Sequence, residues 1–220
     1  IFLLGFLIGI HETGHFLIAK LCKVRVNEFA IGFGPVIWKK QGKETKYELR
    51  LIPLGGFVNM EGEAEQSEKE GSFTKASIPR RIAIVVAGAL VNIIFAIIVY
   101  FILAMTVRGN LTNAVVGNRV LDADNFENRL YFASYNTKEF MLSIAESVKQ
   151  LFTGKLSSAE LVGPVGISEV VAKTNGFREF IYILSAISIS LGVTNLLPFP
   201  PLDGGKIVLI LLEAIRRKPL

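Results

Sequence analysis

Two stretches of this chain carry no charged side chain over lengths that a water-soluble fold seldom tolerates. Residues 82–107 run for 26 positions, and residues 180–202 for 23, without an Asp, Glu, Lys or Arg. A helix crossing a bilayer core needs about 20 apolar residues, so both blocks are long enough to span. Residues 1–10 are also uncharged, and apolar character resumes at Phe16-Leu17-Ile18-Ala19. This third block reads as a span whose outer end lies before residue 1. It lacks the basic n-region and small-residue cleavage site of a secretory signal. The hydrophobic share, 51%, is close to that of ordinary domains, so the distribution carries the argument. The expectation is an α-helical polytopic membrane protein with three transmembrane segments.

Charge gives the orientation. Residues 20–81 hold 12 Lys and Arg, which places this segment on the cytoplasmic side by the positive-inside rule. The net charge of +5 is therefore read as a topology signal, and no nucleic-acid partner is expected. Residues 108–178 hold 8 basic and 7 acidic side chains and are expected outside. The block at residues 180–202 returns inward and is followed by Lys206, Arg216, Arg217 and Lys218; Pro198, Pro200 and Pro201 break it, because proline cannot continue a helix. Between the first two spans Tyr47-Glu48-Leu49-Arg50-Leu51-Ile52 alternates, and Gly32, Gly34, Gly55 and Gly56 punctuate the pattern. A membrane-associated β-hairpin or small sheet is expected there, then a solvated acidic loop over residues 61–70. Helical periodicity is visible over residues 140–152. The segments are thus 1–22 (first span), 23–81 (β region), 82–107 (second span), 108–178 (extracytoplasmic) and 179–220 (third span and a short helix).

The first span contains a polar motif, His11-Glu12-Thr13-Gly14-His15. Histidines four residues apart share a helix face and can bind one Zn²⁺, with Glu12 beside the metal as general base. Catalytic zinc keeps three protein ligands and an open position for water; zinc-bound water would attack a peptide carbonyl polarised by the metal. Ionisable groups at the bilayer centre cost about 2.5–3.5 kcal/mol each on insertion scales, so they ask for a functional reason. The third ligand is narrowed by elimination. The chain has two histidines, position 21 is Leu21, and the single cysteine, Cys22, lies too far along the helix; it also excludes an intrachain disulfide. Asp203, in Leu202-Asp203-Gly204-Gly205, borders an apolar block beside a broken helix. An Asp turn or helix cap is its ordinary role, but next to an incomplete zinc site the ligand role is favoured. Both halves of the site then lie at matching depth, near the cytoplasmic face.

These residues, with Gly32-Phe33-Gly34-Pro35, Pro53-Leu54-Gly55-Gly56-Phe57-Val58, Gly163-Pro164-Val165-Gly166-Ile167 and Asn195-Leu196-Leu197-Pro198, are in an order that resembles the site-2 protease family, in its bacterial regulator-of-sigma-E protease branch. The resemblance implies an intramembrane zinc endopeptidase of the bacterial inner membrane. Its partners would be the bilayer and single-span substrates such as anti-sigma factors or signal-peptide remnants. It implies Glu12 as base and His11, His15 and Asp203 as ligands. It assigns Asn195 and Pro198 to substrate binding, and makes residues 28–60 a reentrant β-loop whose Gly32-Phe33-Gly34 turn and Gly55-Gly56 pair contact substrate. A helix hides its peptide bonds, so an exposed sheet edge that holds the substrate extended suits this chemistry. The branch also carries PDZ domains between the second and third spans and a fourth span. Residues 108–178 are too few for a whole PDZ and its following helices, so no full PDZ is expected there, and the family's last span would follow Leu220.

Two other classes compete. Intramembrane His and Glu also mark ion pathways, but a transporter usually shows paired repeats with broken helices, and none is found. A soluble thermolysin-like protease would place a Glu on a helix about 20 residues past His15, where the chain reads Gly34-Pro35-Val36.

Overall fold

The computed structural model describes residues 2–63, 65, 67–107, 109–153 and 176–216. The Gly163–Ile167 motif and the basic residues Arg217 and Lys218 lie outside them. Among the described residues three helices are long and apolar enough to cross a membrane: α1 (Phe2–Leu21), α2 (Ile78–Met105) and α4 (Phe177–Asn195). Between α1 and α2 lie two long antiparallel strands, β1 (Val26–Gln41) and β2 (Lys46–Met60). A two-residue-strand hairpin, β3 (Val115–Val116) with β4 (Arg119–Val120), precedes α3 (Phe126–Phe152), and α5 (Asp203–Arg216) follows α4. The membrane-protein class and the small sheet between the first two spans are as the sequence implies. The chain divides into two compact units, Ile1–Ile93 with Leu191–Leu220, and Ile94–Ser190.

In the first unit, β1 and β2 build more than a hairpin. Glu28 pairs with both Asn59 and Lys46, and Ile31 with both Gly56 and Leu49. Residues 26–31 therefore lie between the two halves of β2, and the sheet order is 36–41, 46–52, 26–31, 56–60. Both strands bend at the same level, at Gly32 and Gly34 (φ +90° and +79°) and at Pro53 to Gly55 (φ +104° at Gly55). A side chain at Gly55 would run into the Phe33 ring. The Gly32-Phe33-Gly34 element expected as a turn is thus a bend inside one strand, and the chain reverses at Gly42–Thr45, where the Gly42 N–H donates to the Thr45 carbonyl. The outer half exposes Phe33, Val36, Ile37, Trp38, Leu51, Ile52 and Leu54, an apolar patch suited to lipid rather than water.

Ala19, Val24, Val26, Met60, Phe73, Ile84, Val85 and Ile210 form the core that locks α1, the sheet, α2 and α5 together. α2 begins at Ile78, ahead of the uncharged block, because Pro79 sits in the first turn where its missing donor costs nothing. Arg81 is then inside the helix, where it pairs with Glu213 at 2.5 Å and lies over the Phe73 ring. The acidic segment after β2 is a tied loop. The Glu61 carboxylate accepts hydrogen bonds from Ser67 Oγ, Asn27 Nδ2 and Lys69 Nζ, which hold its pKa down at about 2 from an ordinary 4.5. A carboxyl depressed on folding stabilises the fold in full above the unfolded value and ceases to do so as pH falls through the folded one. Hydrogen exchange in residues 61–73 should therefore accelerate as pH drops from about 4.5 toward about 2. Glu61→Gln should flatten that response; an unchanged profile would mean the three bonds are not formed.

In the second unit, Leu111, Val116 and Leu121 pack with Tyr131 and Tyr135. α3 starts fourteen residues before the periodicity suggests, because Asn125 caps it: its Oδ1 accepts the Asn128 N–H at 2.8 Å. Arg178 donates to the Leu103 and Thr106 carbonyls at the end of α2, and Tyr100 stacks on Phe140 with ring centroids 4.1 Å apart.

Candidate metal centre

α1 holds His11 and His15 one turn apart on a buried face. Their rings meet edge to face and their Nε2 atoms are 3.1 Å apart. Asp203, the first residue of α5, brings Oδ2 to 2.9 Å from His11 Nε2 and 3.1 Å from His15 Nε2. A helix N-terminus favours a carboxylate through its free N–H groups and dipole. The cap-like position and the approach to the histidines thus coexist in one residue.

Three features of this triangle fit a zinc ion. Ligands about 2.0–2.1 Å from a tetrahedral zinc lie roughly 3.3 Å from one another, close to the 2.9–3.1 Å sides found here. His15 Nδ1 lies 2.8 Å from the Ile84 carbonyl oxygen. A carbonyl only accepts, so Nδ1 carries the proton and Nε2 offers its lone pair to the triangle, the tautomer that ligation requires. His11 has no such anchor, since its Nδ1 is buried without a partner among the described residues. The third feature is Gly88 of α2. A Cβ there would lie 2.4 Å from His15 Nε2 and 2.8 Å from His11 Nε2. α2 is bare where it faces the imidazole nitrogens. The helices can come this close because Gly14 of α1 lies on the backbone of Ala87 and Gly88, the small-residue contact that membrane helices favour.

A cavity of about 400 Å³ opens onto the triangle, with Glu12 in its wall. Gly56, Phe57, Val58 and Met60, from the last segment of β2, line it too. That segment pairs with residues 28–31 on one side and, among the described residues, with no strand on the other. A Cβ on Gly56 would lie 3.0 Å from Glu12 Cγ, so the missing side chain is what admits the glutamate. Asn195, at the end of α4, lines the cavity, as does Pro201 where Pro198 was expected. Gly32, Gly34 and Gly55 serve the bends of the sheet. Gly88, Glu63 and Lys206 carry no site motif in the sequence, yet Gly88 approaches the imidazoles and Glu63 and Lys206 line the cavity. Gly88 leaves a faint trace, a glycine between Ala87 and Ala89 in a span of larger side chains. Lys206 follows Asp203 by three positions, hence on the same helix face. Burial works against its ammonium, but Glu63, 2.8 Å away, outweighs this and raises the pKa.

The whole chain, residues 1–220, matches the model of peptidase family M50, and the chain belongs to that family. It is a membrane-embedded, zinc-dependent peptidase with several spans. A Clostridium acetobutylicum protein named as a candidate zinc metalloprotease is 31% identical, the match covering 97% of this chain and 86% of the relative. A Fusobacterium nucleatum protein of the same designation is 30% identical, over 97% of this chain and 87% of its own length. A third, from Clostridium perfringens, is 29% identical over 97% and 87%. The first match runs over 290 aligned positions, 70 more than this chain has residues.

Proposed function

We propose that His11, His15 and Asp203 hold the zinc, that Glu12 is the general base, and that the substrate is a single-span membrane protein held extended along the last segment of β2. The observation that carries this reading is the convergence of two imidazole nitrogens and one carboxylate oxygen, within 3.1 Å of one another, on a cavity walled by Glu12 and by a sheet edge. Zinc bound there supplies a Lewis acid that makes water nucleophilic near neutral pH and polarises the scissile carbonyl. Glu12 takes the proton from the attacking water and hands it to the leaving nitrogen. The main chain of residues 56–60 offers donors and acceptors to an unwound substrate by strand addition. Asn195 adds a side-chain amide to the cavity wall. The apolar lining, Ile8, Val85 and Leu191 among it, limits access of bulk water.

The relatives named above are bacterial, and the 12 basic residues of positions 20–81 support a centre near the cytoplasmic face of the inner membrane. Anti-sigma factors and signal-peptide remnants are substrates of the right form, each with one short helix to unwind. The ligand set is tested by metal analysis of purified Asp203→Ala. It should lose stoichiometric zinc, because two imidazoles alone leave the site one ligand short of catalytic zinc. One zinc per chain and undiminished turnover in that variant would move the third ligand elsewhere.

A further inference from the structure

Lys206 lies one turn along α5 from Asp203, lines the catalytic cavity, and places Nζ 2.8 Å from Glu63 Oε1. Glu63 also lines the cavity and follows Met60, the last residue of β2, by three positions. One ion pair thus ties the end of the free edge strand to the helix that carries Asp203. The fold does not depend on it. Met60, Ile210 and the flanking Ile207 already hold α5 against the sheet through apolar contacts, Arg81–Glu213 anchors the same helix farther along, and an ion pair whose lysine side chain is 49% exposed adds little stability. The pair acts instead on the spacing between strand edge and reaction centre. An extended chain advances by about 3.4 Å per residue, so a slip of that size along the edge presents a different peptide bond.

We propose that the Glu63–Lys206 pair is a register clamp: it fixes the free edge of β2 relative to Asp203, so that an added substrate strand offers one peptide bond for cleavage. This rests on the strand-addition reading above, and Lys206 and Glu63 are positioning residues in it. Misplacement of about 1 Å at a reaction centre can cost up to 10²-fold in rate.

The test uses the full chain in proteoliposomes with a single-span substrate, and reads zinc content, kcat, KM and the product termini by mass spectrometry. Glu63→Gln and Lys206→Met should each keep one zinc per chain, lower kcat roughly ten- to hundredfold, and spread cleavage over neighbouring bonds. Lys206→Arg, which keeps the cation, should restore a single product. The Glu63→Gln/Lys206→Met double variant should be no worse than either single, as expected of two halves of one interaction. Wild-type products and kcat in both single variants, or additive losses in the double variant, would overturn the clamp. A proline series in the substrate, run with the wild-type enzyme, separates the underlying reading. Turnover indifferent to proline would overturn strand addition itself, whereas proline sensitivity with unchanged products in the single variants would overturn the clamp alone.

Discussion

Glu12→Gln should retain one zinc per chain yet cut a single-span substrate at least about 10²–10⁴-fold more slowly, the usual contribution of a positioned general base. That loss corresponds to roughly 2.7–5.4 kcal/mol of barrier. Gln matches Glu in shape, so it keeps the space that Gly56 leaves for this side chain, and the triangle of His11, His15 and Asp203 is untouched. What changes is one atom: the amide cannot take a proton from water. The comparison is made with metal analysis and turnover on the same sample. Turnover near wild type in a zinc-loaded Glu12→Gln sample would remove Glu12 from the mechanism; loss of zinc would make it part of the metal site instead.

Gly88→Ala should abolish zinc binding, although Gly88 is no ligand. Its Cβ would sit 2.4 Å from His15 Nε2 and 2.8 Å from His11 Nε2, inside van der Waals contact with both. An ion within about 2.1 Å of the same two nitrogens would compete with that methyl for one volume. Relief by backbone motion is limited, since Gly14 already lies against Ala87 and Gly88. Leu90→Ala is the control on the same helix, as Leu90 is 45% exposed and trims only an outward side chain. It should keep its zinc. A Gly88→Ala chain with one zinc per chain would show that the ion does not lie beside α2 at this point.

The spans were legible in the sequence because lipid imposes run length on the helices, and run length is a local property. Tyr47 to Ile52 betrayed a strand by alternation, but the four-segment sheet did not show. Its bends need Gly32 and Gly55 at the same level of paired strands, which only long-range pairing sets. The periodicity of residues 140–152 shows only the last half of α3, because the cap at Asn125 leaves no periodic signal. The convergence of His11 and His15 is legible from their four-residue spacing, whereas that of Asp203 needs the argument that a metal site there would lack a third ligand. Gly88 was not legible, since its meaning lies in what another helix brings to it. Glu63 and Lys206 were hidden for the same reason: 143 residues separate them, and neither has a motif of its own.

If substrate adds along residues 56–60 as proposed, an edge that is open among the described residues sets the selectivity. A strand edge reads backbone far more than side chains, so a chain that adds there is admitted by its readiness to stop being a helix. Gly and Pro lower helix stability by about 1 and about 3 kcal/mol relative to Ala. Where such residues fall in a candidate's span, the work of unwinding shrinks by amounts that change rates roughly 5- to 160-fold. On the proposed strand-addition reading, the sheet would work less as a lock for particular side chains than as a mechanical threshold, passing weak helices and leaving the strong helices of the surrounding membrane alone.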